Sequence, residues 1–187
     1  MARSEAVNLF PTSLLLEERE DPLSEKEFKA LKNISWNEQY SNLISNDDDI
    51  LEKREFSSIK KFILDSLNKY MREVIKCADE LVITSSWVNI NRKGMYHVRH
   101  CHPNSVLSGV FYFTDSQTPL YVYDPNSSSK TWDYDIQEFH GANSDQWAFP
   151  PVKNTCIIFP SSLDHSVPIH NDNKDRISLS FNSFFKN

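Results

Sequence analysis

Histidine is the residue type in this chain that most clearly could bind a metal ion or take part in catalysis. All six histidines fall in the second half of the chain: His97, His100, His102, His140, His165 and His170. His100 and His102 are separated by one residue in a segment with strand character, so alternation along the strand should point both to one face. The same alternation predicts that His97 points to the opposite face. Two imidazoles on one face can bind a metal ion from one side, and His165, after the turn-forming residues 159–164, is the natural third ligand.

A second polar stripe follows near the C-terminal end of the sequence. Residues 176–182 alternate between polar side chains, among them Arg176 and Ser178, and apolar ones. If the apolar face packs on the core, the polar face could be a solvated outer surface. Alternatively it lines the lumen of a barrel, where the Arg176 guanidinium would hold a carboxylate through two parallel hydrogen bonds, assisted by the Ser178 hydroxyl. The strand pattern alone is compatible with both.

Hydrophobic periodicity indicates which elements position these side chains, and it changes near Leu81. Before that point, Ser24 and Glu27 form a capping-box pattern that predicts a short helix. Apolar residues spaced three and four apart between 55 and 76 predict a long helix with one apolar stripe. After that point, short β-branched and aromatic segments predict strands at 81–91, 95–102, 106–113, 119–124, 155–159 and 176–185.

These patterns predict a mainly β fold with flanking helices, an antiparallel sandwich or barrel packed against a long helix from the N-terminal half. We expect a single domain over 1–187, with 1–80 as a helical support region and 81–187 as the β core. Residues 125–151 are polar and aperiodic but contain Trp132, Tyr134, Phe139 and Trp147. Because long loops in compact domains are usually functional, this segment is a candidate lid or substrate-facing wall.

Composition excludes several classes of function. The chain has 187 residues, a net charge of -6 and three glycines, none of them close enough together to form a phosphate-binding loop. The negative charge disfavours nucleic acid as a partner, and no apolar run is long enough to span a membrane. The three cysteines are odd in number, lie far apart and form no C-x-x-C pair, which argues against a disulfide framework and a zinc ribbon and favours a reducing cytoplasm.

The combined residues resemble a known family. The stretch SWVNINRKGMYHVRHCHPNSVLSGVFYF, followed by IIFPSSLDHSVPIH and DRISLSFN, is similar to the Fe(II)- and 2-oxoglutarate-dependent oxygenases, in particular a group common in phages and marine bacteria. The resemblance covers about residues 81–184. It implies a double-stranded β-helix, the jelly-roll or cupin-like fold, over 81–187, and a location in the cytoplasm, which is the host cytoplasm if the chain is phage-encoded.

The resemblance also implies roles for individual residues. His100 matches the first metal ligand, His165 the distal metal histidine and Arg176 the residue that binds the remote carboxylate of 2-oxoglutarate. Ser178 matches the serine of an R-x-S pair. The resemblance also suggests Tyr112 and Asn89 as further contacts of the co-substrate, while Trp87 is expected in the core.

One position departs from the family pattern. Most members have H-x-D or H-x-E at the first metal site, whereas this chain has His100-Cys101-His102. There are three alternatives for the third ligand. His102 could bind the metal and complete a three-histidine site, or it could lie next to the metal ligands while a water molecule takes the third position. In the third alternative, Asp124 supplies the missing carboxylate. We prefer His102 because alternation places it beside His100.

The activity implied is hydroxylation of an unidentified substrate, a small molecule or a protein side chain, by Fe(II), O2 and 2-oxoglutarate, with release of succinate and CO2. Two alternatives stay open at this point. One is a cupin-like three-histidine dioxygenase that uses no 2-oxo acid, and the other is a non-catalytic jelly-roll binding module. The oligomeric state does not follow from the sequence.

Overall fold

Two antiparallel sheets form the body of the protein in a computed structural model, which describes residues 3–39, 41–127 and 135–186. Within these ranges the strands are β1 Leu15–Glu18, β2 Trp36–Gln39, β3 Asn42–Ser45, β4 Leu81–Asn91, β5 His97–His100, β6 Leu107–Tyr112, β7 Leu120–Tyr123, β8 Gln146–Phe149, β9 Thr155–Pro160, β10 His165–Val167 and β11 Arg176–Phe185. The larger sheet has the order β1-β9-β6-β11-β4-β3-β2, and the smaller one has the order β5-β10-β7-β8.

The two sheets face each other across an apolar layer. Val110, Ile157 and Phe159 come from the larger sheet, and they form one buried cluster with side chains of the smaller sheet such as Val122 and Val167. This sandwich with few helices is the mainly β jelly-roll architecture that the sequence predicted. Its inner faces carry the polar stripe of β11.

Helices cover the outer face of the larger sheet. The helices are α1 Glu25–Leu31 and α2 Ser57–Lys69, with 3-10 turns at Ile50–Glu52 and Arg54–Phe56 and a π-helical turn at Tyr70–Ile75. Ile59, Ile63 and Leu67 lie on one face of α2 and are fully buried in a cluster that includes Phe111 of β6. Since neighbouring strand residues point to opposite faces, this packing turns Tyr112 inward.

The capping box predicted at the first helix is present. The Ser24 hydroxyl accepts a hydrogen bond from the Glu27 backbone N–H at 3.2 Å, and the Glu27 carboxylate accepts one from the Ser24 backbone N–H at 2.7 Å. The Glu27 carboxylate also forms a buried ion pair with Arg19 at 3.1 Å. The sequence therefore located both the start of α1 and the reason for it.

Two expectations about residues 1–80 need correction. The segment is not purely a helical support region, because β1 pairs with β9, and β3 joins β2 to β4, so that all three extend the larger sheet. The long helix predicted over 55–76 is only partly present, since α2 ends at Lys69 and the chain continues as a π-helical turn. That turn ends at Ile75, and the positive φ of 62° at the next residue, Lys76, stops the helix.

No helix among the described residues has both the length and the apolar character that crossing a bilayer requires.

Candidate functional site

Three histidines lie together where β5 and β10 meet. His100 is the last residue of β5 and His165 the first residue of β10, and the antiparallel register pairs them directly. His102 lies two residues beyond β5, where its backbone N–H donates a hydrogen bond to the Ser161 carbonyl at 2.8 Å. Strand pairing and this loop contact thus bring together side chains that are far apart in the sequence.

The ring nitrogens of these histidines converge on a common space. Their candidate ligand atoms all lie within 4.8 Å of one another, and His102 Nε2 is 3.2 Å from His165 Nε2. The ring centroids of His100 and His165 are 4.4 Å apart. Three imidazoles within this span can share one first-row transition metal ion, so this donor set fits Fe(II).

Backbone carbonyls orient two of the three rings. His100 Nδ1 lies 2.8 Å from the Val98 carbonyl oxygen, and His165 Nδ1 lies 2.9 Å from the Leu163 carbonyl oxygen. Because a carbonyl can only accept, each Nδ1 must carry the proton and donate it. The Nε2 lone pair of each ring is therefore left for a metal ion.

Burial keeps the site in the state that binds metal. Desolvation lowers the pKa of His102 to about 4, and the nearby imidazoles of His165 and His100 lower it further. Desolvation also lowers the pKa of His165 to about 4, although the hydrogen bond to the Leu163 carbonyl acts in the opposite direction. Both rings are neutral at physiological pH, as a metal-binding imidazole must be.

Arg176 opens β11 and is buried in the cavity that these histidines line. Its side chain is 1% exposed, and the groups that it contacts are neutral: Nε donates to the Thr118 carbonyl at 3.3 Å and Nη1 to Asn91 Oδ1 at 3.5 Å. No carboxylate of the described ranges pairs with it, and burial lowers its pKa. Because a buried cation without a counter-charge is costly, the arrangement indicates that an anion completes the site.

The other predicted co-substrate residues surround this guanidinium or line the same cavity. Arg176 Nη1 donates to Ser178 Oγ at 3.4 Å, and Nη2 donates to the Tyr112 hydroxyl at 3.5 Å. Complete burial raises the pKa of Tyr112 to about 12, so this hydroxyl stays protonated. Asn89 lines the cavity, and its amide donates to Ser180 Oγ at 3.0 Å and accepts from Asn42 at 3.0 Å.

Two residues lie elsewhere than the sequence suggested. Asp124, the alternative third ligand, is not in the cluster of converging ligand atoms, and its Oδ1 accepts a hydrogen bond from the Asn126 backbone N–H at 2.9 Å. Trp87 was expected in the core, but it is half-buried and lines the cavity. Its ring centroid is 5.8 Å from that of His102. The cavity thus has an indole wall beside the histidines.

The predicted loop over 125–151 is not irregular throughout. Residues 146–149 form β8 at the edge of the smaller sheet, and Trp147 within it is 47% exposed. Phe139 is also exposed. Trp132 and Tyr134 lie outside the described residues, so the role of this segment as a lid stays a prediction.

His97 faces the cavity, and the prediction that it points away is wrong. The register pairs Val167 with His97 and His165 with His100, so that three steps along β5 match two along β10. This bulge inserts one extra residue and breaks the alternation, which puts His97 and His100 on the same face. The sequence carried no signal for it, because the intervening Val98 and Arg99 have no turn-forming character.

Sequence reasoning also missed the groups that hold Arg176 in place. Asn91 pairs with Arg176 in the β4–β11 register and is fully buried. The carbonyl of Thr118 accepts a hydrogen bond from Arg176, and the hydroxyl oxygen of Thr118 lies 2.8 Å from Nδ1 of the buried His170. His170 Nε2 lies 2.8 Å from the Lys174 carbonyl oxygen, so this imidazole links the segment before β7 to the segment before β11. His170 therefore has a structural role that positions Arg176.

Comparisons with known proteins agree with this geometry. The family model described as "Putative 2OG-Fe(II) oxygenase" matches residues 85–182, more than half of the chain, and that span includes every residue of the site. A comparison of the sequence with curated proteins found no match. The family relationship therefore rests on the family-model match over residues 85–182.

Solved oxygenases share the fold at low sequence identity. HygX from Streptomyces hygroscopicus, solved with nickel, 2-oxoglutarate and hygromycin B, is 10% identical, with 92% of this chain and 83% of that chain covered and a TM-score of 0.62. A prolyl-4-hydroxylase from Pseudomonas putida is 13% identical over 94% of each chain, with a TM-score of 0.60. A prolyl hydroxylase from Trichoplax adhaerens, solved with a hypoxia inducible factor peptide, is 13% identical, with 91% and 83% covered and a TM-score of 0.62.

The matched family is one of enzymes that use Fe(II), O2 and 2-oxoglutarate, and the three-histidine cluster is compatible with that chemistry. The cofactors inferred from the sequence resemblance are thereby confirmed. The chain belongs to the 2OG-Fe(II) oxygenase family.

Proposed function

We propose that the protein is a hydroxylase that converts an unidentified substrate R–H to R–OH while 2-oxoglutarate and O2 are converted to succinate and CO2. One oxygen atom of O2 enters the substrate and the other enters succinate, so that the reaction balances. The observation that carries this proposal is the buried Arg176, which has no carboxylate partner among the described residues and lies in the same cavity as three converging imidazoles. A diacid that also coordinates metal satisfies both ends of this cavity.

His100, His102 and His165 would hold the metal ion. When bound, Fe(II) supplies the O2 chemistry of the reaction, and three protein ligands leave positions for the co-substrate and O2. We propose His102 as the third ligand because its Nε2 lies beside that of His165, whereas Asp124 lies outside the cluster. A His102→Ala variant should lose metal affinity by about 10-fold or more, while Asp124→Asn should bind metal as the wild type does.

Arg176, Ser178 and Tyr112 would bind the distal carboxylate of 2-oxoglutarate. A guanidinium presents two parallel N–H donors that match a carboxylate, and its burial strengthens the attraction. Because Tyr112 stays protonated, its hydroxyl can act as an additional donor. Asn89, held between Asn42 and Ser180, would form part of the cavity wall next to the co-substrate.

The proposal is tested by titrating Fe(II) and then 2-oxoglutarate into the protein under anaerobic conditions. A visible charge-transfer band should appear only when both are present. The Arg176→Ala variant should bind Fe(II) normally but require much more 2-oxoglutarate, while the control Arg92→Ala, at a residue whose side chain is 59% exposed, should behave as the wild type. A folded wild-type protein that develops no band would contradict the assignment.

Two kinds of substrate are compatible with this fold. HygX was solved with hygromycin B, and the Trichoplax enzyme with a protein fragment, so solved relatives of this fold include both small-molecule and peptide complexes. We propose a substrate of one of these two kinds. A screen of metabolites and peptides for substrate-stimulated succinate formation would identify it.

The two alternatives have less support. A three-histidine dioxygenase without a 2-oxo acid would leave Arg176 buried without a function, and it would consume O2 without releasing succinate. A binding module would need neither the converging Nε2 atoms nor neutral imidazoles, and it would retain its function after His165→Ala.

A further inference from the structure

His97 is a half-buried residue with one ring nitrogen that is fully buried. Its Nε2 atom is inaccessible and has no hydrogen-bond partner among the described residues. Buried polar atoms are nearly always paired, because leaving one unpaired is costly. An unpaired ring nitrogen on a residue that lines a cavity therefore points to a ligand atom.

His97 stands between the two halves of the candidate site. It lines the cavity together with the three converging histidines and Arg176. Burial lowers the pKa of His97 to about 3, and the positive charge of Arg176 contributes to this shift, so the imidazole is neutral and within electrostatic range of the guanidinium.

The bulge in β5 is what allows this placement. A regular strand would turn His97 away from His100, but the extra residue puts both on the cavity side and leaves Val98 62% exposed. Bulges commonly re-aim a side chain at a functional site. The distortion has no evident packing benefit at Val98, so its effect is to bring His97 into the cavity.

A second unpaired polar atom lies beside Arg176. Arg176 Nη1 donates to Asn91 Oδ1 at 3.5 Å, which leaves Asn91 Nδ2 buried and without a partner among the described residues. Two unpaired buried nitrogens, one in contact with this guanidinium and one on a residue lining the same cavity, indicate a ligand with acceptor oxygens.

We propose that His97 is a co-substrate-binding residue, whose Nε2–H donates a hydrogen bond to the distal carboxylate of 2-oxoglutarate beside Arg176. The inference rests on the proposed function and adds to it a residue outside the metal triad and the R-x-S pair. It predicts that His97 contributes to the recognition of a diacid rather than to metal binding.

The test measures binding to the Zn(II)-loaded protein by calorimetry, since Zn(II) is redox-inert. The ligands are 2-oxoglutarate and 2-oxopentanoate, which has the same chain but no distal carboxylate. His97→Phe should weaken 2-oxoglutarate binding about 10-fold or more, because a hydrogen bond to a charged group is lost. Binding of 2-oxopentanoate and of Zn(II) should change less than about twofold, and His97→Gln should restore much of the loss.

A second variant keeps the test decisive if His97→Phe folds poorly. His97→Glu places a carboxylate against Arg176, where it should compete with the co-substrate and abolish 2-oxoglutarate binding while Zn(II) still binds. Val98→Ala, at the exposed neighbouring position, is the matched control and should bind 2-oxoglutarate as the wild type does.

Each outcome has a distinct meaning. Equal losses of 2-oxoglutarate and 2-oxopentanoate in His97→Phe, or no loss of either, would overturn the role assigned to His97. If the wild type and Val98→Ala both bind Zn(II) but not 2-oxoglutarate, the proposed function itself fails. A selective loss of 2-oxoglutarate, with rescue by His97→Gln, supports the inference.

Discussion

Replacing Arg176 with methionine should change folding stability and co-substrate binding in opposite directions. The wild-type side chain is buried and has no carboxylate partner in the described ranges, and its four hydrogen bonds are long, at 3.3 to 3.5 Å. Burying a charge costs several kcal/mol even after relaxation, and these contacts offset only part of it. Methionine is uncharged and fills much of the same volume, so it removes that cost.

The expected gain in the free energy of unfolding of the metal-free protein is about 1–3 kcal/mol, since apolar replacement of buried charges often stabilises by that amount. For a chain of this size, each kcal/mol corresponds to roughly 2–4 °C in Tm. By contrast, truncating a well-packed buried side chain usually costs about 2–5 kcal/mol. The sign of the change therefore separates a strained binding residue from a structural one.

The binding of 2-oxoglutarate should fall at least about 100-fold, because two charge-assisted hydrogen bonds of roughly 1.5–3 kcal/mol each are lost. The assay is thermal unfolding of the Zn(II)-loaded protein with and without 2-oxoglutarate. The wild type should gain about 2.7 kcal/mol at a ligand concentration of 100 Kd, and the variant almost nothing. A metal-free variant that is less stable than the metal-free wild type would refute the reasoning.

Three further perturbations test other parts of the account. Desolvation lowers the pKa of His165 to about 4, below its unfolded value, so the stability of the metal-free protein should be constant above about pH 6.5 and fall as the pH drops toward 4. The effect is at most about 2 kcal/mol at pH 5, and urea unfolding with a chelator should show a shallower decline in His165→Gln. Gly109→Ala should destabilise by about 2 kcal/mol or more, because its Cβ would meet the Phe181 ring and lie 2.6 Å from the Ile157 carbonyl oxygen; unchanged denaturation would contradict this. His170→Phe should raise the Kd for 2-oxoglutarate more than the Kd for Zn(II), because the link from its ring to Thr118 positions Arg176, and calorimetry that finds equal changes would argue against such a link.

The long strands and the chemistry that they carry were predictable from the sequence. The bounds of β4 and β11 match the predicted segments at both ends, because each contains a run of β-branched or aromatic residues bounded by loop-forming ones. The convergence of His100, His102 and His165 followed from the resemblance and from the H-x-H spacing. Alternation along β11 also placed Arg176 and Ser178 on one face.

The parts that the sequence did not reveal depend on tertiary pairing. The short strands β2 and β3 are stabilised by their register with β4, and their polar residues carry no strong strand signal. The apolar residues in the π-helical turn at residues 70–75 continue the helical periodicity of α2, so no residue there predicts the change from α-helix to π-helix. His97 was misplaced because a bulge depends on the facing strand, and one-strand alternation assumes that none is present.

The most direct test of the central claim is a crystal structure of the protein with Zn(II) and 2-oxoglutarate, in which anomalous scattering locates the metal. We predict a single Zn(II) about 2.0–2.1 Å from the Nε2 atoms of His100, His102 and His165, with the diacid reaching the Arg176 guanidinium. Zn(II) bound elsewhere, or a diacid that leaves Arg176 without a carboxylate partner, would contradict the account.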